Sequence, residues 1–514
     1  LISSSVPTIN TATEDPKAWG GYAHNAVAGF FGRINYKFNE KYLMTVTLRQ
    51  DGSSVLAKDH QWGFFPSVAL AWRMNEENFL KNIEQLSNLK LRLSYGISGN
   101  SAVSAYQTQG GLGKTMYAYL INNTENGAYG YYPALTPNYN LGWEKTATAN
   151  IGIDFGFFNN ELNISFDWYQ RTTKDMLAPG QTMPDVLGAG APKINAGTLR
   201  TRGWELSIDW RHHFNEVNVY ANASIGDFKT VITKWDNDSQ LLNENYSGKV
   251  YGDIWGFETD RYFTKDDFNA DGSYKEGIAS QKKLEQDGFV YGPGDIKFKD
   301  LNNDKEINGG EGTVKDHGDL KVIGNTTPRY QYGFRLGGEW KGIDIDMFFQ
   351  GVGKCDAWTQ SAFVMPMMRG ADAIYANQAN YWTDENPDPN ADFPRMWPGN
   401  AGKGTVSVLD LGNHNFYPQS KYLVNMAYLR FKNLTIGYTL PKDWTRKVYM
   451  DKVRVYFSAN NICELINKSN APVDPEVNTS EAIANGGSRD YGNGTWGRVD
   501  PMYRTVSFGL QVTF

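Results

Sequence analysis

Apolar side chains recur at every second position in segment after segment of this chain. Gly32-Ile34-Tyr36-Phe38 is followed by Tyr42-Met44-Val46-Leu48, Val68-Leu70-Trp72 and Leu89-Leu91-Leu93-Tyr95. Ile151-Ile153-Phe155-Phe157 leads into Leu162-Ile164-Phe166-Trp168, and Trp204-Leu206-Ile208-Trp210 into Val217-Val219-Ala221-Ala223. Tyr332-Phe334-Leu336, Ile343-Ile345-Met347-Phe349, Leu434-Ile436-Tyr438-Leu440 and Val453-Val455-Phe457 continue the series. It ends on Val506-Phe508-Leu510-Val512-Phe514, where the chain stops on an aromatic residue. A period of two places these residues on one face of a strand. The opposite faces carry Asn163-Ser165-Asp167 and Glu205-Ser207-Asp209, so each strand has an oily side and a wet side.

The connections between these thirteen segments alternate in length. Asn39-Glu40-Lys41, Asn159-Asn160, His213 to Glu216 and Lys341-Gly342 are tight; 75–88 and 441–450 are somewhat longer. Polar excursions at 99–146, 172–200, 230–328, 352–421 and 464–503 separate the hairpins. In an up-and-down sheet this puts the short turns on one side and the long loops on the other. Outer-membrane barrels show that asymmetry, with short periplasmic turns and long outside loops. The expected fold is therefore all-β: a transmembrane antiparallel up-and-down β-barrel with long extracellular loops. A soluble β-sandwich would have to accommodate structureless connections far longer than compact domains use. Tyr251–Phe263 is also strand-like, and strand parity requires it to add two strands or none.

Composition sharpens this picture. No run of apolar residues is long enough for a membrane helix. Aromatic residues make up 14%, and 30 of them are Tyr, which favours a membrane–water interface. A net charge of −6 with no basic run argues against nucleic acid. The two cysteines, Cys355 and Cys463, make neither a framework nor a metal spacing. The opening LISSSVPTIN is neither a start methionine nor a strand, and it reads as a piece of a longer precursor.

The longer motifs resemble the barrel of SusC/RagA-type TonB-dependent transporters. They are FFGRINYKFNEKYLMTVTLRQDGSS (30–54), WGFFPSVALAWRMNEENFLKN (62–82), LKLRLSYGISGN (89–100) and LGWEKTATANIGIDFGFFNNELNISFDWYQRTTKDML (141–177). NAGTLRTRGWELSI (195–208), GPGDIKFKDLNNDKEIN (292–308), GNTTPRYQYGF (324–334), YWTDENPDPNADFP (381–394) and YLRFKNLTIGYTLP (428–441) follow in order. The resemblance implies a 22-stranded barrel filled by a plug, of which this chain supplies the C-terminal thirteen to fifteen strands. Residues 1–29 are then an incoming loop and 30–514 the C-terminal part of the barrel, with the plug and first strands absent. It also implies import of oligosaccharides or oligopeptides across a Gram-negative outer membrane, a SusD-like lid lipoprotein, and energy from TonB through the plug. The N-terminal part of the barrel and outer-membrane lipid would be its other contacts. A metal-chelate receptor of the siderophore type without a lid is the alternative. An outer-membrane hydrolase is disfavoured, because no Ser-His-Asp arrangement is evident.

Two oxygen-rich loops are candidate cation sites. Asp300, Asn302, Asp304, Glu306, Asn308 and Glu311 have the spacing of a calcium loop, with Lys305 where that loop wants Gly. Asp267-Phe-Asn269-Ala-Asp271-Gly272 keeps the Gly but has Ile278 at the twelfth position. The alternative for both is a polar loop of Asx turns. Tyr375, Tyr381, Trp382 and Trp397, in a loop that also contains Phe393, are candidate contacts for a substrate or a lid. His212 and His213 lack a third ligand nearby. Asp154, Asp167, Glu205 and Asp209 lie on separate wet faces and suit a hydrophilic wall.

Overall fold

The computed structural model describes residues 23–121, 124–180, 190–285, 289–359, 361, 364–366, 374–396, 415–469, 471–477 and 500–514. Thirteen strands form one antiparallel sheet, each paired with its neighbour in sequence order. They are β1 (Val27–Phe38), β2 (Tyr42–Ser53), β3 (Trp62–Arg73), β4 (Leu86–Asn100), β5 (Glu144–Phe157), β6 (Leu162–Lys174) and β7 (Thr198–Phe214). β8 (Val217–Lys234), β9 (Arg329–Trp340), β10 (Ile343–Lys354), β11 (Tyr428–Thr439), β12 (Lys452–Asn467) and β13 (Thr505–Thr513) complete it. Each of the thirteen segments of two-residue periodicity named first is a strand of this sheet. β1 starts at Val27, ahead of the expected boundary at residue 30.

The turns follow from backbone chemistry. Asn39, Glu40, Asn159, Asn160, Asn215 and Lys341 take positive φ, as does Gly342. Tight hairpins need that left-handed twist, and Asn and Gly reach it at least cost. At the longer 74–85 connection, Glu77 accepts hydrogen bonds from Lys41 Nζ (2.8 Å), Tyr42 Oη (2.9 Å) and Trp72 Nε1 (3.1 Å). Hydrogen bonds from Lys41, Trp72 and Tyr42 hold its carboxyl down to about 2.

The outer face is apolar and ends in aromatic rings. Phe30 stacks on Trp62 at 6.1 Å and Tyr42 on Trp72 at 6.3 Å, while Phe334, Phe349 and Phe431 form a cross-strand ladder spaced 4.6 and 4.5 Å. Such pairs add to sheet stability beyond their buried area. The face has no protein cover: Phe508 is 82% exposed. Lipid is the solvent that makes this tolerable.

The stretch Tyr251–Phe263 adds no strand to the wall. Asp253–Phe257 pairs with Leu320–Asn325, and Thr259–Tyr262 pairs with Ile296–Phe298, both outside the large sheet. A further hairpin, Gly111–Ile121 with Thr124–Leu135, rises from the excursion between β4 and β5. Among the described residues β1 pairs only with β2 and β13 only with β12, so the sheet presents two free edges.

Candidate transport path and loop cap

The inner face of the wall is built from cross-strand ion pairs. Arg92 on β4 donates from Nε and Nη2 to Asp154 on β5, both at 2.8 Å, and from Nη1 (3.0 Å) and Nη2 (2.7 Å) to Asp167 on β6. Ser165 Oγ donates to Asp154 at 2.7 Å. Farther round, Arg335 pairs with Asp346 at 2.6 Å, Tyr220 also donates to Asp346, and Arg454 pairs with Asp344 at 2.5 Å. Asn222 donates to Asp209. A shallow depression of about 460 Å³ on this face is lined by Ser165, Asp167, Tyr169, Glu205, Ser207 and Gln331. Of the four wall carboxylates expected from the sequence, Asp154 and Asp209 have partners on neighbouring strands, Asp167 has its partner two strands away, and Glu205 lines the depression. The side chains that answer them are not legible in the sequence, because pairing depends on register between distant segments. The only signal was their occurrence at wet-face positions.

At the long-loop end, excursions from three hairpin connections fold into a cap with its own core. Phe263, Phe289, Phe298, Trp358, Trp382 and Phe416 are buried there together. Several buried polar groups inside the cap find partners within it, while His317 Nδ1 is buried without a hydrogen bond. Asp295, fully buried, accepts from Arg395 (3.0 and 2.5 Å), Asn415 Nδ2 (2.8 Å) and the Gly292 amide (2.8 Å). Gln281 bridges Ile296 and Phe298 through its amide. Tyr262 Oη donates to the Ala391 carbonyl at 2.9 Å, and Lys421 Nζ lies 4.3 Å from the centre of the Tyr262 ring. Burial pushes the Tyr262 hydroxyl up and the Lys421 ammonium down. Arg430 clamps the 471–477 segment to the rim through Asp474 (2.7 Å) and Glu476 (2.8 Å), and also pairs with Glu464 on β12.

The aromatic residues expected to meet a ligand separate. Tyr375 is exposed and precedes a short 3₁₀ turn at Ala376–Gln378. Tyr381 forms a bridge to Phe393. Trp382 is 4% exposed, which removes it from any contact surface. Its ring occupies the space a Cβ on Gly294 would need. Trp397 lies outside the described residues. A cleft of about 670 Å³, lined by Ile194, Trp235, Asn237, Asp238, Glu244 and Asn245, instead brings an indole to an open polar surface. Nothing in the sequence distinguished Trp235 from the other tryptophans.

The calcium-like loop is closed by its own side chains. Asp300 accepts from the amides of Asn303 (2.6 Å) and Lys305 (2.9 Å), Asn302 from Asp304 (3.0 Å), Asp304 from Glu306 (2.7 Å) and Asn308 from Gly310 (2.8 Å). Lys305, where a Gly was wanted, reaches the left-handed region at φ 68°. The expected six-oxygen set does not converge: Glu306 is drawn to Lys283 at 2.6 Å, and Glu311 is exposed beyond Gly310. No group of three or more His, Cys, Asp or Glu side chains fit to hold a metal occurs among the described residues. In the second loop Asp267 is buried against Arg261 instead (2.6 Å).

An antiparallel wall with a lipid face, an ion-paired inner face and long loops gathered at one end defines an outer-membrane β-barrel protein. The chain belongs to the TonB dependent receptor-like, beta-barrel family, whose model matches residues 3–462, and its place is the outer membrane of a Gram-negative cell. It is 31% identical over 509 residues to TonB-dependent receptor P3 of Formosa agariphila, covering 94% of this chain and 45% of that one. It is 30% identical over 476 residues to TonB-dependent receptor SusC of Bacteroides thetaiotaomicron, covering 88% and 42%. The chain thus spans less than half the length of these relatives. Its fold matches the structure of the RagAB peptide transporter with a TM-score of 0.67 at 23% identity, over 95% of this chain and 48% of that one.

Proposed function

We propose that this chain is the wall and outer vestibule of an importer that takes up oligosaccharides or oligopeptides, energised through TonB and served by a SusD-like lid lipoprotein. The observation that carries this reading is the ion-paired inner face joined to a folded loop cap. A polar bore lets a hydrophilic solute pass, and the cap clefts supply a place for it to wait. The likeness in sequence to the receptor SusC supports the same class of task. In this reading the two free sheet edges are closed by further strands, and the plug that couples to TonB belongs to the same receptor. The work is gated passage, with no bond made or broken.

The test is uptake by cells expressing the full-length receptor that contains this chain. Labelled oligosaccharide and oligopeptide mixtures should be depleted only when TonB and the proton-motive force are intact. Uptake that survives loss of TonB overturns the proposal. Purification in detergent should retain a lid lipoprotein on the long-loop side. Its absence, with a bound metal chelate in its place, would favour the siderophore-type alternative.

A further inference from the structure

Two clefts at the long-loop end share a wall. Residues 235–249 follow β8 and return to it, closed at the base where the Ile232 amide donates to the Lys249 carbonyl (2.9 Å) and Val231 bridges Val250. The cleft of about 670 Å³ holds Trp235, and a second of about 380 Å³ holds Tyr251 and Trp255. Asn245 lines both, so the turn that carries it is a ridge between them. The ridge is braced from within. Asn237 Nδ2 donates to the Asn245 carbonyl (2.9 Å), and Lys249 Nζ donates to the carbonyls of Leu242 (3.2 Å) and Glu244 (2.7 Å). The rings are held too: a Cβ on Gly197 would lie 2.5 Å from the Trp235 ring, and Trp255 Nε1 donates to Tyr246 Oη at 3.1 Å.

Aromatic planes stack on the C–H faces of sugar rings, and carboxylates and amides beside them hydrogen-bond the hydroxyls. Rings and polar groups fixed in advance lower the cost of ordering on binding. Among the described residues, the acidic and basic side chains that line the two clefts are Asp236, Asp238, Glu244 and Asp253 against Lys249. Lys249 is turned to its two carbonyls and lies 5.4 Å from the centre of the Tyr246 ring. An anionic solute would therefore meet carboxylates with no cation presented to it. An extended peptide fares no better. Such a ligand pairs with a row of backbone groups on a strand edge, whereas the ridge amides at 240, 242, 244, 248 and 249 already donate to carbonyls of this fold.

We infer that the two clefts form one groove for an oligosaccharide free of acidic groups. Trp235 and Tyr251 are the platforms for its two ends, and Asn245 meets the unit that crosses the ridge. Asp238 and Glu244 accept from its hydroxyls, or from the ammonium of an amino sugar, and turn away chains that carry uronate or sulfate. The groove rests on the importer reading above and narrows it, from sugar or peptide to a neutral or amine-bearing sugar chain.

Binding is measured at equilibrium on the full-length receptor in detergent, apart from TonB-driven uptake. The probes are pools of neutral, amine-bearing and acidic oligosaccharides, from disaccharides to octasaccharides, and a peptide pool of matching lengths. Wild type should retain the neutral or amine-bearing pool, with affinity rising as chains lengthen. Trp235→Ala and Tyr251→Ala should each weaken the longer chains by roughly tenfold and remove the gain with length. Trp444→Ala, an exposed indole on the short-turn side, is the control and should match wild type. Asp238→Lys/Glu244→Lys should admit the acidic pool. Retention of peptides or acidic chains by wild type in place of neutral ones overturns the proposal while leaving TonB-driven import standing, as does retention of no pool. Undiminished affinity for long chains in either aromatic variant overturns the shared groove. If a variant fails to reach the SDS-resistant folded form, the choice among pools and the length dependence of wild type decide the question.

Discussion

Arg92 lies across the face of Gly152. A Cβ at position 152 would sit 2.6 Å from Arg92 Nη2 and 2.5 Å from Asp167 Oδ1. The bare backbone of β5 is what lets one guanidinium reach carboxylates on two strands. Gly437 serves the Arg454–Asp344 pair in the same way. These glycines are positions of close approach, and their φ values are ordinary.

Removing Arg92 should leave Asp167 without its cation and Asp154 with only Ser165 and the more distant Lys90 (3.8 Å) beside it. Arg92→Ala is expected to cost about 2–4 kcal/mol, read as a lower temperature for loss of the SDS-resistant form. Arg92→Lys should not fully restore it, because an ammonium lacks the planar fork that holds bidentate contacts to both carboxylates at once. Asp154→Asn/Asp167→Asn in the Arg92→Ala background should recover part of the loss. Gly152→Val should resemble Arg92→Ala by displacing the side chain.

The cap should show acid sensitivity traceable to Asp267. Burial raises its carboxyl, but hydrogen bonds from Arg261 and the Thr264 amide prevail and bring it to about 2. A group depressed in the folded state stabilises above its unfolded value near 3.8 and loses that contribution as pH falls through about 2. Asp267→Asn should weaken the cap by roughly 2 kcal/mol at pH 7. Hydrogen exchange at residues 261–275 should then show wild type and variant converging between pH 4 and 2.

Trp382→Ala should open a cavity in the cap and cost about 3–5 kcal/mol there. Limited proteolysis of the long loops should accelerate while the SDS-resistant barrel persists. Gly294→Ala should have the same direction of effect, since it needs the Trp382 ring space at φ 88°.

Trp235→Ala should behave oppositely. Its indole borders the open cleft, so proteolysis should be unchanged while the concentration for half-maximal uptake rises severalfold, as expected for the loss of one stacking contact of about 1 kcal/mol. Unchanged uptake would remove this cleft from the path.

The wall was legible because each of its strands carries its environment in its own sequence. Val217 to Ala223 alternate whatever the rest of the chain does, and Lys341-Gly342 turn for local steric reasons. The cap was illegible for the converse reason. Phe257 packs on Phe298 at 4.9 Å and near Tyr417, residues far apart along the chain whose meeting no period announces. Tyr251–Phe263 is undecided in the sequence because its alternation is real while its partners are loop segments. Trp382 looked like a ligand contact because composition cannot tell a buried ring from an open one. The Asp300 loop shows the same limit: the spacing of oxygens was correct, and their direction toward amides was set by the turn.

The alternation of oily and wet positions by itself determined the strands, their order and which face meets lipid, because a period of two is a property of consecutive residues. Tertiary structure decided what depends on how distant segments meet: the cross-strand Arg92–Asp154–Asp167 bridge and the cap core around Trp382. A slip of one residue would turn the wall side chains of that bridge to the other face, and only the paired sheet fixes it.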